Sequence, residues 1–260
     1  MEILSSSCPT NIELKEFLDF KATQYENTSF IESDPIQIPK KYSRKEDIEI
    51  IALITATISW GNRKSIIKSG HKLINLLGES PFDYVMSHTF NDKLNFVHRT
   101  FNGIDLNFFL MRLNYIYTNF ESLESCFRVK NSQQHNLYHR INNFREIFFE
   151  NQDINRTHKH VANPITGSSC KRIIMFLRWM VRSSICHVDF GLWKSISTSE
   201  LMIPLDVHTG TISRKLGLLQ RNQNDWKSNE LLHSKLIEFD ENDPAKYDFA
   251  LFGLGIFESF

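Results

Sequence analysis

The sequence predicts an all-α chain, and three observations predict it. Apolar residues recur with a helical period from about residue 43 onward. Gly, Asn and Pro punctuate that rhythm where helices should start and stop. No alternating run bounded by turn residues is long enough to argue for a sheet. With 260 residues, 41% of them hydrophobic, the chain can bury a core and sits near the upper limit of one compact domain.

The elements follow in order. Residues 24–41 carry two prolines and many polar side chains and read as extended, so residues 1–42 are expected to form an N-terminal arm. Ser43-Arg44-Lys45-Glu46 reads as a capping box, after which Ile48, Ile51, Ile54 and Ile58 share one face. Trp60-Gly61-Asn62 should end that helix. A second helix is expected over about 63–77, carrying Ile66, Ile67, Ile74 and Leu77 and stopping at Gly78. Ser80-Pro81 opens a short third, with Pro at the first helical position. Further amphipathic helices are expected near 105–120, 137–150, 171–183, 207–216, 227–239 and 244–252, with a polar loop over 150–166. There is no internal repeat, so residues 43–260 read as one interwoven helical domain with a hairpin near 164–183.

Composition narrows the function classes. The 30 basic and 30 acidic side chains cancel, so affinity for a polyanion has to come from local segregation of charge. Cys8, Cys126, Cys170 and Cys186 are widely spaced without a CxxC pair, which gives no zinc or iron–sulfur signature and fits a reduced compartment. No segment approaches the roughly 18 apolar residues of a membrane helix, and the polar start is unlike a signal peptide. The expectation is a cytoplasmic protein without cofactor, metal or membrane partner.

Charge does segregate in one place. Between Asp153 and Asp189 there is no acidic residue, although the average content, 30 acids in 260 residues, would place about four there. The interval holds Arg156, Lys159, Lys171, Arg172, Arg178 and Arg182, with His158, His160 and His187. On a helix Lys171, Arg178 and Arg182 share a face, either a phosphate-binding surface or a solvated flank opposite Ile173, Ile174, Leu177 and Val181.

Two segments carry chemistry. In Pro164-Ile165-Thr166-Gly167-Ser168-Ser169-Cys170-Lys171-Arg172, a Gly- and Ser-containing turn opens a helix whose first N–H groups can hold a phosphate oxygen. In Pro204-Leu205-Asp206-Val207-His208-Thr209, Asp206 stands where a helix N-cap belongs, and a plain cap is the bland reading. Together the two resemble the helix-hairpin-helix DNA glycosylases. Endonuclease III-like members carry L-P-G-V-G-x-K-T-A, with the catalytic lysine four residues after the first glycine, the spacing of Gly167 and Lys171. They then carry V-D-T-H-V-x-R, similar to Leu205-Asp206-Val207-His208-Thr209, and upstream L-L-S-A-Q-x-T, similar to Leu53-Ile54-Thr55-Ala56-Thr57-Ile58-Ser59.

The resemblance spans roughly Ser43 to Leu218, with Phe249-Ala250-Leu251-Phe252-Gly253 as a closing helix. Ser169 replaces the second hairpin glycine, Thr57 replaces the glutamine, and Asp189-Phe190-Gly191-Leu192-Trp193-Lys194 lengthens the interval to Asp206. In these respects the chain looks more like the archaeal 8-oxoguanine DNA glycosylase branch. It also resembles an uncharacterised bacterial family with K-R…F-L-R-W-M-V-R and P-L-D-V-H-T segments. The four-cysteine iron–sulfur loop of endonuclease III is absent.

The resemblance implies a helix-hairpin-helix catalytic domain that removes a damaged base, an oxidised purine such as 8-oxoguanine, from double-stranded DNA and then cleaves the strand, placing the protein at the nucleoid. Asp206 would stabilise positive charge on the deoxyribose. Lys171, desolvated among other cations so that its pKa falls, would attack the sugar as a free amine and form a Schiff base. Gly167, Ser168, Ser169, Arg172, Arg178 and Arg182 are the expected DNA contacts. Thr57, Trp60, Trp193 and His208 are candidates for the pocket of the extruded base or the gap it leaves, with Trp179 a further aromatic. Two alternatives stand beside this. One is a helix-hairpin-helix DNA-binding protein without catalysis, which needs no particular amine at position 171. The other is a metal-dependent phosphohydrolase using His208, His158 and His160, disfavoured by the poor ligand geometry of His158-Lys159-His160 on a helix.

Overall fold

The computed structural model describes residues 10–90, 94–129, 136–152, 155–183, 186–258 and 260. Cys8 and Asp153, with the first nine residues of the expected arm, lie outside the described residues. Most of the described residues are helical and the strands amount to one small hairpin, so the all-α class holds. Among the described residues no helix is long and apolar enough to cross a membrane.

The middle of the fold is α3 (Lys45–Thr57), in which every residue from Asp47 to Thr57 is buried. A helix apolar on nearly all sides belongs inside a core, and α3 packs against α9 (Lys171–Val181), α5 (Pro81–Ser87) and α4 (Arg63–Leu77). The capping box expected at Ser43 does not form. Arg44 takes the N-cap position without a side-chain cap, and Glu46 pairs with the Arg44 guanidinium instead. α4 begins on the Asn62 cap and stops at Gly78, and α5 begins on Ser80 with Pro81 at its first position, all as read from the sequence. A two-stranded antiparallel hairpin, β1 (Val97–His98) and β2 (Phe101–Asn102), precedes α6 (Gly103–Asn119). With α7 (Leu137–Phe149) and the one-turn α8 (Asn155–His158), these elements enclose the larger core, which includes Ile51, Leu53, Phe109, Phe144, Phe176 and Trp193.

A second core is built by elements from both ends of the chain. α1 (Asn11–Tyr25) contributes Leu14 and Leu18, α10 (Val207–Lys215) Ile212, α11 (Trp226–Ile237) Leu232 and Leu236, and α12 (Tyr247–Phe257) Leu251 and Leu254. α1 lies along α12 so closely that a methyl on Gly253 would strike the Tyr25 ring. Residues 24–41 are therefore not extended. α2 (Thr28–Ser33) and two 3₁₀ turns, Pro35–Gln37 and Pro39–Lys41, fold them back, and Ile36 and Ile38 reach the larger core. Each proline starts a turn, because its fixed φ suits a first helical position.

Candidate active site

Each of the two sequence motifs opens a helix, and each helix belongs to a different core. The 3₁₀ turn Pro164–Thr166 ends at Gly167, whose φ of 82° uses the left-handed freedom of glycine, and the tip is exposed, Ile165 to 64%. Cys170 is also left-handed, at φ 52°, and leads into α9 without a side-chain acceptor for the first-turn N–H groups. The left-handed position beyond Gly167 thus falls on Cys170, not on Ser169. Three contacts tie the hairpin to the segment before α10 and to the start of α11. Ser169 Oγ donates to the Leu205 carbonyl at 3.3 Å, the Trp226 N–H donates to the Gly167 carbonyl at 2.9 Å, and Ser168 bridges to Asp225.

The result is that Lys171, first residue of α9, faces Asp206, the cap of α10. Lys171 Nζ donates to Asp206 Oδ2 at 2.7 Å across 35 residues of sequence. Asp206 Oδ1 accepts the Thr209 N–H at 2.9 Å, so the bland reading of a helix cap is realised in the same side chain. The lysine side chain is 35% exposed and the carboxylate 22%, open enough to meet a ligand. Burial pushes the Asp206 carboxyl up, but Lys171, the Thr209 N–H and nearby His208 outweigh it and hold it below the usual carboxylate range. An ionised carboxylate and the Lys171 side chain therefore stand together at the seam between the cores.

His208 and Val207 are exposed beside the pair. Trp60 is half-buried, with the Arg172 guanidinium 4.8 Å from its ring and His160 stacked on it at 5.9 Å. Thr57 is buried, and its carbonyl accepts from Arg172 Nη1 at 2.6 Å. Arg172 is therefore turned inward as a strut between α9 and the end of α3, not outward as a DNA contact.

Four expectations fail on burial. Trp193 is 1% exposed, packed against Phe127 and Phe176, with its indole N–H on Glu49 Oε1 at 2.6 Å, and Trp179 is fully buried. Neither can stack on an extruded base. Arg178 and Arg182 are 3% and 4% exposed and cannot reach a phosphate. Arg178 pairs with Asp189 at 3.3 Å and with Asp248; Arg182 pairs with Asp243 at 2.8 Å, with Asp189 at 3.3 Å and with Glu26. The interval is free of acids only along the chain. α12, the end of α1 and the segment before α12 fold carboxylates onto it, which a linear window of charge does not register.

The same packing brings in residues that sequence reasoning missed. Burial holds the Asp34 carboxyl above its usual range against the pull of Arg178, Arg63 and Lys171. Burial raises Asp248 to about 6 despite Arg178, with Asp206 among the like charges that add to the rise. The signal for it was an aspartate inside the apolar run Tyr247-Asp248-Phe249-Ala250-Leu251, since such a residue is seldom buried without a partner. Among the described residues, no group of three or more His, Cys, Asp or Glu side chains is placed to hold a metal ion.

One family model matches, over residues 34–257, and its description is "Protein of unknown function (DUF2400)". The chain belongs to the DUF2400 family. No curated protein and no solved structure matches it. The DUF2400 segment contains both motifs and both partners of the Lys171–Asp206 pair, while α1, which covers α12, lies outside it.

Proposed function

We propose that this DUF2400 chain is a helix-hairpin-helix DNA glycosylase with associated strand cleavage, acting on an oxidised purine such as 8-oxoguanine in double-stranded DNA. The observation that carries the reading is the 2.7 Å contact between Lys171 and Asp206, formed by two motifs 35 residues apart at a seam between two cores. The exposed, glycine-turned hairpin immediately before Lys171 supports it.

In this reaction the target nucleotide leaves the stack and enters the seam. As the bond between C1′ and the base lengthens, positive charge grows on the sugar, and the Asp206 carboxylate stabilises it. Once Lys171 Nζ has released a proton to water, its lone pair attacks C1′, and the base departs with the bonding electrons and takes up a proton from water. Loss of a proton from the new secondary amine and opening of the sugar ring leave a Schiff base. Abstraction of a C2′ proton then expels the 3′-phosphate by β-elimination. Lys171 is the nucleophile and Asp206, in contact with it, the electrostatic partner.

Borohydride reduction tests this. With a duplex bearing 8-oxoguanine it should capture a covalent complex, and Lys171→Ala should abolish capture while retaining the helical circular dichroism and affinity for undamaged duplex. Equal capture by wild type and Lys171→Ala would refute the assignment. Binding without capture on any oxidised purine would favour the second reading, a DNA-binding module without catalysis. The cap made by Asp206 favours that reading, since it gives the carboxylate a structural role of its own.

A further inference from the structure

We infer that the outer face of α4, together with the tip of the β1–β2 hairpin, binds the sugar–phosphate backbone of duplex DNA alongside the candidate site. This rests on the proposed action on DNA and adds where the duplex lies. α4 contains Arg63, Lys64, Lys68 and Lys72, with His71, and no acidic residue. Lys64, Lys68 and Lys72 recur at every fourth position and are exposed, while Ile66, Ser69, Leu73 and Leu77 occupy the buried side. Arg99 is exposed at the hairpin tip, in the left-handed conformation at φ 55°.

Among the described residues these four cations lack a carboxylate partner, a trait that Lys41, Lys159 and Lys194 share without recurring along one helix face. Lys15, Lys45, Arg128, Lys227, Lys235 and Lys246 each lie within 4.0 Å of a carboxylate, whereas among the described residues Lys64, Lys68, Lys72 and Arg99 have no such neighbour. A chain whose charges cancel overall thus leaves a run of uncompensated positive charge on one helix face. That is what a phosphate backbone recognises.

The face is held rigidly to the site. His98 Nδ1 shares a hydrogen bond with Ser69 Oγ of α4 at 2.9 Å, and its Nε2 lies 3.3 Å from the Trp60 carbonyl. The Arg99 guanidinium lies against Gly61, where any side chain would collide with it, and Gly61 adopts φ 94°. Trp60 in turn carries the Arg172 guanidinium, next in sequence to Lys171. From Lys64 to Lys72 the helix rises roughly 12 Å. At about 3.4 Å of rise per phosphate on one strand, that spans three to four phosphates.

The test uses the full chain and a labelled, undamaged duplex, with affinity read by fluorescence anisotropy across a salt series. Lys64→Gln/Lys68→Gln/Lys72→Gln should bind at least tenfold more weakly than wild type. Its slope of log affinity against log salt should flatten by up to about 2.7, or about 0.9 for each phosphate that is no longer neutralised. Arg99→Gln should flatten it by up to about 0.9. A control triple, Lys15→Gln/Lys227→Gln/Lys235→Gln, removes the same charge from lysines already paired with carboxylates and should bind within about twofold of wild type. Equal affinity of the two triples would overturn the inference, yet borohydride capture through Lys171 would leave the catalytic reading standing. Loss of duplex binding in the α4 triple with no capture in wild type would keep the face and remove the lyase. A wild type that binds no duplex, or binds RNA or anionic vesicles in preference, would overturn both.

Discussion

Each oxygen of the Asp206 carboxylate has its own partner, Thr209 N–H on Oδ1 and Lys171 Nζ on Oδ2. Substitutions can separate the two. Asp206→Asn keeps an acceptor for the cap, since Asn caps about as well as Asp, so the melting temperature should hardly move. The charge facing the sugar is removed, and under the proposed reaction the single-turnover rate should fall a hundredfold or more, on the order of 3 kcal/mol. Asp206→Ala removes the cap as well and should cost about 1 kcal/mol of stability. If Asp206→Asn kept full turnover while Asp206→Ala lowered only the melting temperature, the residue would be a cap and nothing more.

At the scale of elements, α3 holds a carboxylate that titrates near neutrality. Burial pushes Glu49 up to about 7, against hydrogen bonds from the Trp193 indole and the Tyr117 hydroxyl. The folded chain then takes up the proton more readily than the unfolded one between the usual 4.5 and about 7, so this group's contribution to stability falls as pH rises through that window. Between about pH 5 and pH 8 wild type should lose up to about 3 kcal/mol more stability than Glu49→Gln, which cannot titrate. Parallel melting curves for the two across that range would show that Glu49 does not titrate there. Legibility in the sequence also divides by element. The bounds of α4 and the start of α5 were readable because Gly61-Asn62, Gly78 and Ser80-Pro81 punctuate them. α1 was not, although Leu14, Leu18 and Ala22 recur at every fourth position behind a Thr10–Glu13 capping box, because the polar residues and prolines after it read as an arm. The Lys171–Asp206 contact could be anticipated only from the resemblance of the two motifs to those of helix-hairpin-helix glycosylases, since the residues by themselves read as a turn and a cap. The inward turn of Arg172, Arg178 and Arg182 was not legible, because helical periodicity places them on faces without saying which neighbours bring carboxylates.

For the whole molecule, the Arg178–Arg182 cluster joins α9 to α1 through Glu26, to α12 through Asp248, and to the segments bearing Asp189 and Asp243. Removing Arg182 takes a cation from buried Asp189 and from half-buried Glu26 and Asp243, the costly way to break such a network. Arg182→Met should destabilise by about 3–5 kcal/mol and lower the melting temperature by on the order of 10 °C. Under the proposed function, the salt dependence of duplex binding should stay that of wild type. A stable Arg182→Met variant with a flattened salt slope would instead return Arg182 to the surface.

The lodging of α1 against α12 also fixes an order of events during synthesis. Residues 36–202 supply all of the larger core except Trp226 and Ala245, and Lys171 opens a helix of that core. The second core waits, because Leu14 and Leu18 have to find Leu251 and Leu254 across more than two hundred intervening residues, a closure that is entropically slow. Until α12 has emerged, the second core that flanks Asp206 through Leu205 and Ile212 cannot be completed.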